Sequence, residues 1–122
     1  MADKLLVVLA NSNMAIPAEF QPPLLQATVA AAMGFEVEVL FTGPAGKLAI
    51  CGEAEKLVFK EEDNRTVLDH IREAKSAGVV FKVCTPTLKL WGENIISEID
   101  ETVGGAYIIT EAMDDSVVTF TY

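Results

Sequence analysis

Residues 5–10 read Leu-Leu-Val-Val-Leu-Ala, six apolar positions in succession with no polar side chain among them. A strand with one wet face alternates apolar and polar residues. An unbroken apolar run of strand length instead belongs to a sheet covered on both faces. The run therefore predicts an α/β protein and is read as its first and central strand.

Beyond this run, helix and strand signals alternate along the chain. Asn11, Ser12 and Asn13 supply turn and cap chemistry, and Pro17, Pro22 and Pro23 limit where a helix can begin. The spacing predicts a helix over residues 24–33, closed by Gly34 and apolar nearly all round. Such a helix is buried on more than one side, either between sheet and loop or at a subunit contact. Residues 35–41 alternate at first, Phe-Glu-Val-Glu-Val, and predict a second strand with one end or face wet. Thr42 to Lys47 lacks the full glycine-lysine-serine pattern of a phosphate loop, since Leu48 follows the lysine. Pro44 predicts a short helical turn through Ile50, and residues 53–64 a charged loop or lid with an apolar insert at 57–59.

Residues 66–75 form an amphipathic pattern, with Val67, Leu68, Ile71 and Ala74 on the inner face and Gly78 as the stop. Residues 79–83, Val-Val-Phe-Lys-Val, predict a buried strand, and Thr85 and Pro86 then look like the N-cap and first residue of a helix turn reaching Trp91. A second helical stretch comes next, with Ile95, Ile96, Ile99 and Val103 on its apolar face, ended by Gly104-Gly105. Strands at 107–110 and 117–122 complete the chain, separated by a short helix or turn. Regular alternation of this kind argues for a parallel sheet with helices on both faces.

A chain of 122 residues suits one domain over 1–122, enough to bury roughly two-thirds of the surface its unfolded form exposes. Apolar residues make up 51% of it, which excludes disorder and points to a deeply buried sheet together with apolar subunit contacts. Eighteen acidic residues against nine basic give a formal charge of −9. Nucleic acid and anionic membranes are thereby repelled. No apolar stretch reaches the roughly 18 to 20 residues of a membrane span. Two cysteines 33 positions apart make neither a Cys-x-x-Cys motif nor a disulfide framework, so a reducing, cytoplasmic setting is expected. The single histidine, His70, has no second imidazole for a metal site, and no metal or cofactor is expected.

Chemistry concentrates at Cys84, where the carboxyl end of a strand meets the amino end of a helix. Free backbone N–H groups at a helix start favour a nearby negative charge, and a thiolate is the form of cysteine that attacks sulfur. Ligand crevices of open α/β sheets also open at the carboxyl ends of their strands. The plainer reading is a buried, inert thiol. Around Cys84, Thr85 and Thr87 offer hydroxyls, Lys89 a charge and Trp91 an apolar shield; each also has an ordinary structural role as cap, helix surface, solvated lysine or core aromatic. Cys51 reads as an ordinary packed thiol and, secondarily, as a redox partner for Cys84.

Cys84, Thr87, Leu90 and Gly92, followed by Ile95, Glu98, Ile99, Val103 and the Gly104-Gly105-Ala106 run, resemble the signature of DsrE/DsrF-like sulfur-relay proteins. In that pattern Ser or Thr lies three residues after the cysteine and Gly eight after it, and a Gly-small pair opens a later strand. The opening strand, the small-residue helix and Thr42-Gly43 fall in the same order. The resemblance implies a three-layer α/β/α sandwich on a five-stranded, mainly parallel sheet, assembled as trimers, tetramers or hexamers. It further implies a sulfurtransferase or sulfur carrier that holds sulfane sulfur on Cys84 as a persulfide, between a donor and an acceptor protein; by their own chemistry and position, Thr85, Pro86, Thr87 and Trp91 are the residues expected to shape that site. Residues 85–122 contain no further cysteine, so Cys84 would act alone as a one-thiol carrier or accept sulfur from a partner, and any intramolecular disulfide step would need Cys51. The competing reading is a DsrE-like binding subunit whose cysteine is incidental. A cysteine hydrolase ranks below both, for want of an oriented base.

Overall fold

The computed structural model describes residues 2–13, 15–59 and 65–122. Among them five parallel strands form one sheet in the order β4, β3, β2, β1, β5. The strands are β1 (Lys4–Leu9), β2 (Glu36–Phe41), β3 (Val80–Cys84), β4 (Glu101–Val103) and β5 (Val117–Thr121), and the helices α1 (Gln21–Ala32), α2 (Val67–Ser76), α3 (Thr85–Trp91) and α4 (Gly105–Ala112). The apolar run of residues 5–10 is an interior strand as expected, but β2 occupies the middle of the sheet.

From β1 to β4 the chain steps one way across the sheet, and from β4 it returns to the far edge to form β5. Parallel crossovers share one hand, so connections that step one way lie on one face and a returning connection lies on the other. The packing agrees. One face carries the larger core, where Val7, Leu9, Val37, Val39, Phe41, Phe81 and Val83 meet Leu24, Leu48, Ile71 and their neighbours. On the opposite face Leu6, Val8, Leu40 and Val103 meet Tyr107 and Ile108 of α4. The sandwich is thus uneven, with one eight-residue helix forming the whole of its second helical layer among the described residues.

Local chemistry accounts for the element ends. Helix α1 starts three residues before the predicted limit because Pro22 and Pro23 occupy its first turn, where a missing N–H breaks no bond. It buries Pro23, Leu24 and Ala27 but leaves Leu25, Val29 and, at its C-cap, Met33 exposed, so it is not packed on several sides. Helix α2 opens with a capping box in which Thr66 and Asp69 satisfy each other's backbone N–H groups, at 2.9 and 3.1 Å, and it buries the predicted face. The segment after β2 is a 3-10 turn, Gly43–Ala49. A further short one, Ala54–Lys56, precedes the buried Phe59. The charged run Lys60-Glu61-Glu62-Asp63 lies outside the described residues.

Two predicted elements are replaced. Residues 92–100 are not helical: Cys51 N donates to Asn94 O at 2.8 Å, Ile96 N to Ala49 O at 2.8 Å and Asp100 N to Phe81 O at 2.8 Å. Partners elsewhere in the fold draw this backbone out of its own helical ladder, and its end becomes β4. The Gly104-Gly105 pair then opens a helix instead of closing one, and residues 107–110, predicted as a strand, lie inside α4.

Candidate functional site

Cys84 is the last residue of β3 and the N-cap of α3, and its neighbour in the sheet is Val103, the last residue of β4. Gly104, immediately after Val103, is the N-cap of α4. Two helices therefore begin from adjacent strand ends and leave on opposite faces of the sheet. Open α/β sheets place their ligand crevice outside the carboxyl ends of their strands, and Cys84 stands at that edge of this sheet. The two helix starts bring backbone N–H groups and the positive ends of two dipoles to the same edge. Beta carbons added at Gly104 and Gly105 would meet nothing within 4 Å, so the α4 side of this edge is open.

Cys84 as a residue is 5% exposed, and its thiol is free of any disulfide. Thr85 is the first helical residue and not the cap; its Oγ1 donates to Val103 O at 3.1 Å and ties the start of α3 to the end of β4. Pro86 follows in the first turn. Thr87 is the buried residue of α3, and its methyl occupies the space above Gly46: a beta carbon there would lie 2.0 Å from Cγ2. Trp91 donates from Nε1 to Gly43 O at 3.1 Å, and Lys47 Nζ stands 5.5 Å from its ring centroid. Trp91 and Lys47 line a cleft of about 380 Å³ with Asn11, Ser12, Asn13 and Pro44. This cleft opens beside the ends of β1 and β2. Cys84 is not among its lining residues. The structure thus gathers Cys84, Thr85 and Val103 at one place and Trp91 with the loops after β1 and β2 at another, with α3 and its buried Thr87 between them.

Cys51 is exposed, contrary to the packed thiol read from the sequence. His70 is half-buried, its ring edge-on to Phe59 at 4.7 Å, which fits a structural role.

A cluster unseen in the sequence lies under α4. Glu38, 5% exposed, accepts from Tyr107 Oη at 2.6 and 2.8 Å, pairs with Lys4 at 2.8 Å and also pairs with Lys82. Lys82 Nζ donates to Tyr107 Oη at 2.8 Å, and Lys4 reaches Glu111 at 3.2 Å. Burial alone would raise the Glu38 carboxyl, but hydrogen bonds from Lys4, Lys82 and Tyr107 outweigh it and hold the group below the usual range. Burial likewise opposes the Lys4 ammonium, and its bonds to Glu38 and Glu111 raise it above the ordinary value. Burial and the Glu38 charge both push the Tyr107 phenol up. The signal was present as two lysines within apolar strands: Lys82, two positions before Cys84, shares its side of the sheet. Among the described residues no cluster of three or more His, Cys, Asp or Glu side chains suits a metal ion.

No family model and no curated protein matches the sequence. Solved structures do match. A conserved protein of unknown function from Bacteroides thetaiotaomicron, BT1422, superposes with a TM-score of 0.67 at 16% identity, covering 98% of this chain and 95% of that one. The ychN protein from E. coli superposes with a TM-score of 0.64 at 12% identity, covering 98% of this chain and all of its own. By its five-stranded parallel sheet and its helices, this chain has the fold of the ychN protein and BT1422.

Proposed function

We propose that this chain is a DsrE-like sulfur-relay protein that accepts sulfane sulfur on Cys84 and passes it to a thiol of a partner protein. The observation that carries the reading is the place of Cys84, at the strand ends from which α3 and α4 both begin. The fold shared with the ychN protein is the one the resemblance implies. In the first step the Cys84 thiolate attacks the terminal sulfur of a donor persulfide. A new S–S bond forms as the donor's S–S bond breaks, and the donor leaves as a thiolate. In the second an acceptor thiolate takes the same sulfur and returns Cys84 to its thiolate. Neither step needs an outside oxidant. The backbone N–H groups of the two helix starts favour the anionic sulfur at both stages. Thr85, Pro86 and Thr87 fix the start of α3, and Trp91 closes its far end. Assembly of several copies, protein donors and acceptors, and a cytoplasmic setting belong to the same reading. Among the described residues no helix is long and apolar enough to cross a membrane.

The burial of Cys84 favours a second reading, a DsrE-like subunit that binds a small ligand or partner surface in the cleft beside Trp91 without sulfur transfer. Intact-mass spectrometry after exposure to polysulfide, without reductant, separates the two. The carrier gains one or more sulfur atoms that reductant removes, and Cys84→Ala gains none, while Cys51→Ser behaves as the wild type. Equal gain by wild type and Cys84→Ala, or none by either, overturns the carrier reading.

A further inference from the structure

Strand β5 ends the sheet, and the face it shares with α1 is bare. Helix α1 stacks over β1 and β2, so Val118 and Phe120 of β5 stay 42% and 41% exposed. Together with Leu25, Val29, Met33 and Phe35 they line a cleft of about 530 Å³. Lys4 and Gln26 are its polar lining residues, and both are engaged, Lys4 with Glu38 and Glu111 and Gln26 with the Tyr122 hydroxyl. Among the described residues no carboxylate lines it, although the chain carries a formal charge of −9.

Exposed edges invite pairing, and proteins blunt them with charge, proline, bulges or shortness. The other edge, β4, has three residues and carries Glu101 with its side chain 61% exposed. In contrast β5 reads Val-Val-Thr-Phe-Thr, with neither charge nor proline. Its bonds to β1 run through even-numbered neighbours: Lys4 N donates to Ser116 O at 3.2 Å, Tyr122 N to Val8 O at 2.8 Å and Ala10 N to Tyr122 O at 2.9 Å. Successive residues of a strand point their backbone groups to alternate edges, so Val117, Thr119 and Thr121 turn theirs outward. The Val117 N–H is satisfied by Asp114 O at 3.0 Å.

We propose that β5 pairs with β5 of a second copy, antiparallel, across a two-fold axis beside Thr119. Identical strands related by such an axis run antiparallel, and the residue on the axis faces itself. Thr119 then exchanges both backbone bonds with Thr119 of the second copy, and each Thr121 N–H donates to the other chain's Val117 carbonyl. Paired residues point to the same face, so the two Thr119 side chains lie beside each other on the α4 side. On the α1 side Phe120 of each copy lies opposite Val118 of the other, an aromatic and β-branched pair of the kind that stabilises sheets. The two clefts face each other across the axis and close one apolar layer. This assembly stands independently of the sulfur chemistry at Cys84.

The test is the mass of the full chain by light scattering during size exclusion, with two variants. Wild type is expected at twice the 13.1 kDa chain mass, or at an even multiple of it. Phe120→Glu places a charge in the pair while leaving the bonds to β1 intact, and should halve the mass with an unchanged circular-dichroism spectrum. Thr119→Cys in a Cys51→Ser background sets two thiols across the axis on α-carbons about 5.5 Å apart, within disulfide range. Mild oxidation should convert it to a covalent dimer that reductant reverses. A monomeric wild type overturns the proposal, as does an assembly whose mass survives Phe120→Glu and whose Thr119→Cys form does not cross-link.

Discussion

Glu38 is held by three donors in a place where an isolated carboxylate would be expelled. Replacing a buried pair wholesale is often neutral, but removing one partner leaves charge uncompensated. Glu38→Leu should therefore cost on the order of 3–5 kcal/mol in urea unfolding, because it strands Lys82 and weakens the hold on Lys4. The pH response has a definite sign. The folded carboxyl titrates below its unfolded value of 4.5, so its contribution is complete above that pH and is lost as pH falls through the folded value. Lys4 acts in the opposite direction: its folded value lies above 10.5, so its contribution is complete below 10.5 and lost as pH rises further. Glu38→Gln should flatten part of the acid arm of the urea midpoint plotted against pH. An acid arm identical to wild type would show that the pairing adds nothing. Of this cluster the sequence displayed only ionisable residues inside strands. Alternation tells that Lys82 and Cys84 share a side, but which carboxylate reaches Lys82 depends on the register of β2 on β3, a relation between segments more than forty residues apart.

The elements that were legible are those whose signals are local. The apolar run of β1, the Thr66 cap with the inner face of α2, and Pro86 in the first turn of α3 depend on neighbours within one or two turns. Residues 92–103 depart from the helix that their apolar spacing predicts because their backbone bonds lie elsewhere in the chain. Asp100 is the anchor: its N–H donates to Phe81 O at 2.8 Å, its Oδ2 accepts from Phe81 N at 3.0 Å and its Oδ1 pairs with Lys75 at 2.5 Å. These contacts hold the segment against the edge of β3 and set up β4 beside Cys84. Asp100→Ala frees the Phe81 N–H at the edge of the core and should cost roughly 1–3 kcal/mol. Amide exchange would localise the effect, with the Phe81 amide losing protection before those of β1. Uniform loss along both strands would mean that Asp100 does not anchor the edge. Once β4 forms at 101–103, Gly104-Gly105 can only begin the next element, and the strand predicted at 107–110 becomes the return crossover α4.

At the scale of the molecule, that single return of the chain makes both the candidate site and the bare edge. It sends α4 to the opposite face just beyond Cys84, and it delivers β5 to the far side of β1, where Val118 and Phe120 stay exposed. Two copies joined there bring together chains of −9 each, so their charges oppose association everywhere except in the uncharged strip that makes the contact. Raising ionic strength from about 0.01 M to about 0.1 M shortens the screening length from roughly 30 Å to roughly 10 Å. Repulsion between the two acidic bodies is screened, whereas the backbone bonds and apolar pairs of β5 are little affected. The dissociation constant, measured by sedimentation over a dilution series, should therefore fall as salt is added. An interface held by ion pairs would weaken over the same range, and that slope would exclude β5 as the contact, since Val117–Thr121 contains no ionisable side chain.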